Sequence, residues 1–230
     1  MTTDSTHPGD PAGQLAAIAH EIARCTACPL HRSRTNTVPG EGPATAEIMF
    51  IGEGPGQRED ALGRPFVGPS GDLLERWLAE VGLRREQVFI GNVVKCRPPG
   101  NRDPEPEEIA ACAPFLDRQM ALIQPKLVAT LGRHSLNKFF PGARITRIHG
   151  IRGVKREGNR VYLPLFHPAY VLRNMNAMDD AIADIKLIPR LIRRLEQRLA
   201  EEAAGAATQG GPAPEPAPAP VDDTKQLSLL

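Results

Sequence analysis

Apolar residues recur along the chain with two periods. In "GQLAAIAHEIARC", starting at Gly13, residues Leu15, Ile18, Ala19 and Ile22 share one face at helical spacing. "SGDLLERWLAEVG" groups Leu73, Leu74, Trp77, Leu78 and Val81 in the same way, with Ser70 expected as N-cap and Gly82 as the stop. "DPEPEEIAACAPFLDRQMALI" predicts a third helix, capped by Asp103, with Pro104 at its first position and acids in its first turn. Its buried stripe would be Ile109, Cys112, Leu116, Met120 and Ile123. Four short β-rich runs stand apart from these: "EIMFIGE" (47–53), "QVFIGNVV" (87–94), "KLVATLG" (126–132) and "VYLPLF" (161–166). A long amphipathic helix follows residue 174. Strands alternating with helices predict an α/β fold whose mostly parallel, four-stranded sheet is covered on both faces.

Length adds one domain with tails: 230 residues, 41% hydrophobic and only 4% aromatic. Residues 1–12 read as a flexible N-terminus and 13–199 as the domain. The Pro/Ala-rich stretch 200–225 reads as a disordered linker, and 226–230 as a separate short peptide. No apolar run approaches a membrane span of ~20 residues, and the N-terminus lacks the pattern of a secretory signal. These features predict a cytoplasmic protein with no membrane partner, in which cysteines stay reduced or bind metal. The net charge of +1 hides an asymmetry. Lys126 to Arg173 holds ten Lys or Arg against the single acid Glu157, a balance suited to a polyanion.

In a parallel sheet, ligands bind beyond the carboxyl ends of the strands. The first strand runs into Gly52-Glu53-Gly54-Pro55-Gly56, the second carries Asn92 near its end, and the last runs into His167-Pro168. All three stretches should meet on one rim. The glycine loop is not a dinucleotide fingerprint, because Gln57 stands where the third Gly belongs. It can still turn backbone N–H groups toward a base or an anion. Cys25 and Cys28 have the spacing of a metal knuckle, and Cys96 and Cys112 complete a set of four. Four thiolates hold either zinc or an iron–sulfur cluster, and the spacing does not choose between them.

Taken in order, "CTACPL", "GEGPGQREDALGRPFVGPSG", "GNVVKCRPPGNRDPEPEEIAAC" and "FHPAYVLRN" resemble the family 4, iron–sulfur branch of the uracil-DNA glycosylase superfamily. The resemblance runs from Cys25 to about Leu195. It implies a three-layer α/β/α domain, a 4Fe–4S cluster on Cys25, Cys28, Cys96 and Cys112, and removal of uracil from single- and double-stranded DNA at the start of base excision repair. It implies His167 as the hydrogen-bond donor to the departing base and Asn92 as the amide that reads uracil. Phe66 would stack on the base and Glu59 would wall off its C5 position. Glu53 would orient water, and Gly54 and Gly56 would bring backbone N–H groups to the base. Tyr170, Val171 and Leu172 would be candidates for a minor-groove wedge, with Arg173 on phosphate. Some relatives trap the sugar through a His on a basic insertion. "CRPPGNRDPEPEEIAAC" has neither insertion nor His, so turnover is expected.

"QLSLL", Gln226 to Leu230, resembles the peptide by which bacterial repair proteins dock on the sliding clamp. A monomer in the cytoplasm, associated with the nucleoid, is the expected setting. The alternative is a non-catalytic, metal-containing DNA-binding module.

Overall fold

The computed structural model describes residues 10–208; the clamp-like peptide 226–230 and most of the expected linker lie outside them. The sheet is built from β1 (Ile48–Gly52), β2 (Phe89–Asn92), β3 (Leu127–Leu131), β4 (Lys155–Glu157) and β5 (Arg160–Leu165), in the order β2-β1-β3-β5-β4. β2, β1, β3 and β5 are mutually parallel, and β4 pairs antiparallel to β5. The four runs expected from the sequence are the four parallel strands. The fifth, β4, is a correction: a three-residue edge strand reading Lys-Arg-Glu shows no apolar alternation, and only the Gly158-Asn159 turn announces its hairpin.

β1, β2 and β3 are buried along their whole length, and apart from Asn92 and Thr130 their side chains are apolar or glycine, as a covered parallel sheet requires. On one face Phe50, Ile90, Ala129 and Leu163 pack against α3 (Pro69–Glu80), α7 (Pro168–Arg173), α8 (Met178–Ile185) and the start of α9 (Ile188–Thr208). On the other, Met49, Ile51, Val128 and Tyr162 pack against α1 (Pro11–Arg24), α4 (Pro106–Ile123) and α5 (Arg133–Phe139). α2 (Gln57–Leu62) and α6 (Ile145–Ile148) are short segments at the strand-end rim. The expected three layers are present. The stripes on α3 and α4 are placed as read, except that Ile109 and Val81 are only partly buried.

Caps and boundaries differ in detail. α1 begins at Pro11, ahead of the expected Gly13, because Asp10 accepts a hydrogen bond from the Gly13 N–H. Gly68, not Ser70, caps α3, with Pro69 in its first turn. α4 is capped by Glu105 rather than Asp103: the Glu108 carboxylate accepts the Glu105 N–H at 2.8 Å and a two-pronged bond from Arg102. The long helix expected after residue 174 is broken into α8 and α9. α9 carries helix to Thr208, past the expected end of the domain at 199. Ala-rich sequence favours the extra turns, and Glu202 fastens them to Arg156 of β4 through paired 2.7 Å bonds. Among the described residues no helix is long and apolar enough to cross a membrane.

Candidate active site

Parallel pairing brings four strand ends to one rim. Gly52 is in register with Asn92, and Leu131 with Leu165. The loops that follow enclose a cleft of about 620 Å³, within the ~300–1,000 Å³ range of small-molecule sites. Glu53, Gly54, Gly56, Glu59, Phe66, Asn92, His167, Tyr170 and Arg173 all line it, so segments spread over 121 residues of sequence converge as expected.

Asn92 is 1% exposed, and its side-chain Oδ1 has no hydrogen-bond partner among the described residues. A buried acceptor left unpaired costs about 1–3 kcal/mol, so this oxygen is set for a donor brought in from outside. It lies over Gly52, where a Cβ would stand 2.4 Å from Oδ1 and 2.6 Å from Cζ of Phe66; only glycine leaves room for both. The Phe66 ring lies 5.7 Å from the His167 ring, so amide, phenyl and imidazole bound one space.

His167 caps α7, and its Nδ1 accepts the Ala169 N–H at 3.1 Å. An Nδ1 used as acceptor leaves the proton on Nε2, which is then a donor. Burial first, then the neighbouring Arg173 and His134, push the pKa of His167 down to about 4. The imidazole is therefore neutral at physiological pH and donates without carrying charge.

Glu53 is half-buried beside β3's end. Its carboxyl is raised above the usual range by burial and by Asp103, against the opposing pull of His134, Arg133 and Arg173. His134 Nε2 stands 3.6 Å from Glu53 and 3.4 Å from Asp103, and Arg133 pairs with Asp103. Neither His134 nor Asp103 was singled out from the sequence as a site residue. The rule that strand ends build the site could have found "GRH" after β3, but the Asp103 pairing is not readable from spacing.

Glu59 is fixed by its Oε1, which accepts both the Val67 and Gly68 N–H groups at 2.9 Å. It forms a rigid wall as well as bracing the loop that carries Phe66. Phe66 has φ 51°, a left-handed backbone that costs a residue with a Cβ about 1–3 kcal/mol.

Two expectations need revision. Val171 is fully buried in the core beneath α7 and cannot act as a wedge; Tyr170 and Leu172 are the exposed members, Tyr170 stacked 5.2 Å from Phe166. The basic third is also less free than its composition suggests. Lys126, Arg133, Lys138 and Arg156 pair with acids from other segments, and Lys155 pairs with Glu157. Arg144 and Arg147 are exposed, flank the cleft residue Ile145, and make no ion pair among the described residues.

The four cysteines line one small apolar pocket with Ile22 and Phe115, and no disulfide joins them. Burial pushes the Cys112 thiol up to about 11 and raises that of Cys96. The Lys95 backbone N–H points at Cys112 Sγ and Arg34 Nη1 at Cys96 Sγ, each at 3.3 Å.

A family model for the uracil DNA glycosylase superfamily matches residues 39–186, which spans every strand and the whole cleft rim. The chain belongs to that superfamily. Within it, the chain is similar to type-4 uracil-DNA glycosylases. It is 49% identical over 185 residues to that of Sulfurisphaera tokodaii, covering 77% of this chain and 84% of the relative. It is 50% identical over 162 residues to that of Thermotoga maritima, covering 70% and 84%. It is 44% identical over 184 residues to that of Archaeoglobus fulgidus, covering 77% and 92%. Identity this high over most of each relative places the chain in the type-4 family of the superfamily.

Proposed function

We propose that the chain is a monofunctional uracil-DNA glycosylase that extrudes uracil from DNA and hydrolyses its N-glycosidic bond, initiating base excision repair. The observation that carries this reading is the buried, unpaired Oδ1 of Asn92 in the same cleft as the Nε2–H donor of His167. Uracil supplies the complement of that pair. Its N3–H meets Oδ1, its O4 meets the Asn92 amide N–H, and its O2 meets His167 Nε2–H. Cytosine presents the opposite pattern at N3 and N4. Phe66 stacks on the flipped ring, and Glu59 crowds C5. Gly54 and Gly56 line the cleft without side chains, so their backbone can approach the base. As the bond from C1′ to N1 lengthens, the sugar gains positive and the base negative charge. His167 stabilises the departing base through O2, and Glu53 holds a water and opposes the sugar's charge. Tyr170 and Leu172 are the remaining wedge candidates, and Arg173, Arg144 and Arg147 the candidates for phosphate. Release of labelled uracil from U·G, U·A and single-stranded oligonucleotides tests the reading; a non-catalytic DNA-binding module would bind these and release nothing.

Excision should fall on the acid side as a proton neutralises Glu53, and burial sets that limb above the ordinary carboxylate range. Glu53→Gln should lower the rate and flatten the limb, as read from kcat/KM against pH. An unchanged limb in Glu53→Gln would remove Glu53 from the role.

The four cysteines gathered around one pocket are proposed to hold a 4Fe–4S cluster, as the family resemblance implies. The N–H donors at Cys96 and Cys112 suit thiolate sulfurs. When bound, the cluster would brace α1, α4 and the segment after β2; no step at uracil passes through it. Purified protein should be brown and contain iron, and Cys112→Ser should lose both colour and thermal stability. Stoichiometric zinc in place of iron would refute the assignment.

The four strand ends of a single chain complete the cleft, which supports a monomer. A cytoplasmic setting is proposed, because four cysteines reserved for a metal cluster suit a reducing compartment. Gln226–Leu230 is proposed as a clamp-docking peptide: deleting it should abolish clamp binding and leave excision from naked oligonucleotide unchanged. Equal clamp affinity without it would end that proposal.

A further inference from the structure

Phe66 is an apolar residue held in a backbone conformation that favours glycine, and the structure shows what holds it. Arg85, from the short turn ahead of β2, is nearly buried, with its side chain 9% exposed. Its guanidinium donates to the carbonyl of Phe66 at 2.9 Å and to the carbonyl of Pro65. Its Nε donates to Glu41 at 3.2 Å. Glu41 is itself anchored, because its backbone N–H and C=O both pair with Ile90 on the free edge of β2, at 2.9 and 2.8 Å. The same carboxylate takes two 2.8 Å bonds from Arg64, two residues before Phe66. The segment Arg64-Pro65-Phe66 is thus tied to one carboxylate at both ends. From the far side α3 closes in: a Cβ on Gly71 would stand 1.9 Å from the Phe66 carbonyl oxygen, a contact only glycine permits.

We propose that Glu41 and Arg85 are positioning residues that clamp Phe66 from behind the cleft and so set the plane on which the extruded base stacks. Neither residue lines the cleft, and both act through Phe66. Arg85 cannot be replaced by lysine without loss, because a single ammonium cannot span two carbonyls and a carboxylate with fixed geometry. The inference rests on the uracil reading of the site, which makes Phe66 the stacking surface.

The test is a double-mutant cycle read by single-turnover uracil excision from a single-stranded oligonucleotide, with thermal melting alongside. Arg85→Met should lower the second-order rate about 10- to 100-fold, the scale of a small misplacement of a bound group. In a Phe66→Ala background the same change should cost less than about 2-fold, because the residue it positions is gone. Glu41→Gln, which keeps shape and removes charge, should show the same dependence on Phe66 with a smaller loss, and it carries the test if Arg85→Met fails to fold. Equal losses in both backgrounds, or wild-type rates for both variants, would overturn the clamp. Absence of excision by the wild-type protein would overturn the reading of the site instead, and with it the clamp.

Discussion

Replacing His167 with alanine should lower kcat for uracil excision by about 10²–10³-fold while leaving the affinity for uracil-containing DNA within a few-fold of wild type. That is the usual loss when one preorganised donor to a developing anion is removed. The split between kcat and affinity follows from when the bond matters. Uracil O2 is a modest acceptor in the ground state and gains charge only as the glycosidic bond breaks, so the donor acts mainly in the transition state. The depressed pKa of His167, about 4, adds a second signature. Because the group is already neutral above that value, its removal should cost the same factor from pH 6 to pH 9. A loss that vanished at high pH would mean that an imidazolium, not an imidazole, does the work.

Asn92→Asp should show the largest change in specificity. The carboxylate cannot donate to O4 and repels it, and uracil excision should drop on the order of 10⁴-fold, as expected where a buried hydrogen-bonding pattern is broken. The same carboxylate can accept from the exocyclic amine of cytosine, so the ratio of cytosine to uracil excision should rise even as total activity falls. Burial makes this sharp: at 1% exposure, no water is available to repair a mismatch at Asn92. Competition between U- and C-containing oligonucleotides measures the ratio directly. If Asn92→Asp kept the wild-type preference, the amide would not be the reader.

Much of this site was legible in sequence because strand ends and glycine loops follow local rules. "EIMFIGE", "QVFIGNVV" and "VYLPLF" are short, mostly apolar runs of the length and β-branched or aromatic content of covered parallel strands, and parallel strands share a functional end. Glu53, Asn92 and His167 could therefore be placed on one rim without coordinates. What escaped depends on pairing across the chain. Asp103 reads as a helix cap, yet it faces Arg133 and His134 while Glu105 takes the cap. Val171 reads as part of an exposed loop, yet a short helix turns it into the core. The basic third reads as a DNA face, yet Glu47, Asp117, Glu196 and Glu202 come from other segments to neutralise part of it. Local propensity is written in neighbours; these partners are 21 to 79 residues away. Arg85 and Glu41 belong to the same class, since nothing near them in sequence marks a link to Phe66.

The claim on which all of this stands is that one amide and one imidazole contact a single pyrimidine together, the amide at N3 and O4 and the imidazole at O2. A crystal structure with free uracil bound tests it most directly. The account predicts the base stacked on Phe66, N3 and O4 on the Asn92 amide, and O2 within hydrogen-bonding distance of His167 Nε2. Uracil seated elsewhere, or turned so that Asn92 and His167 cannot both reach it, would contradict it.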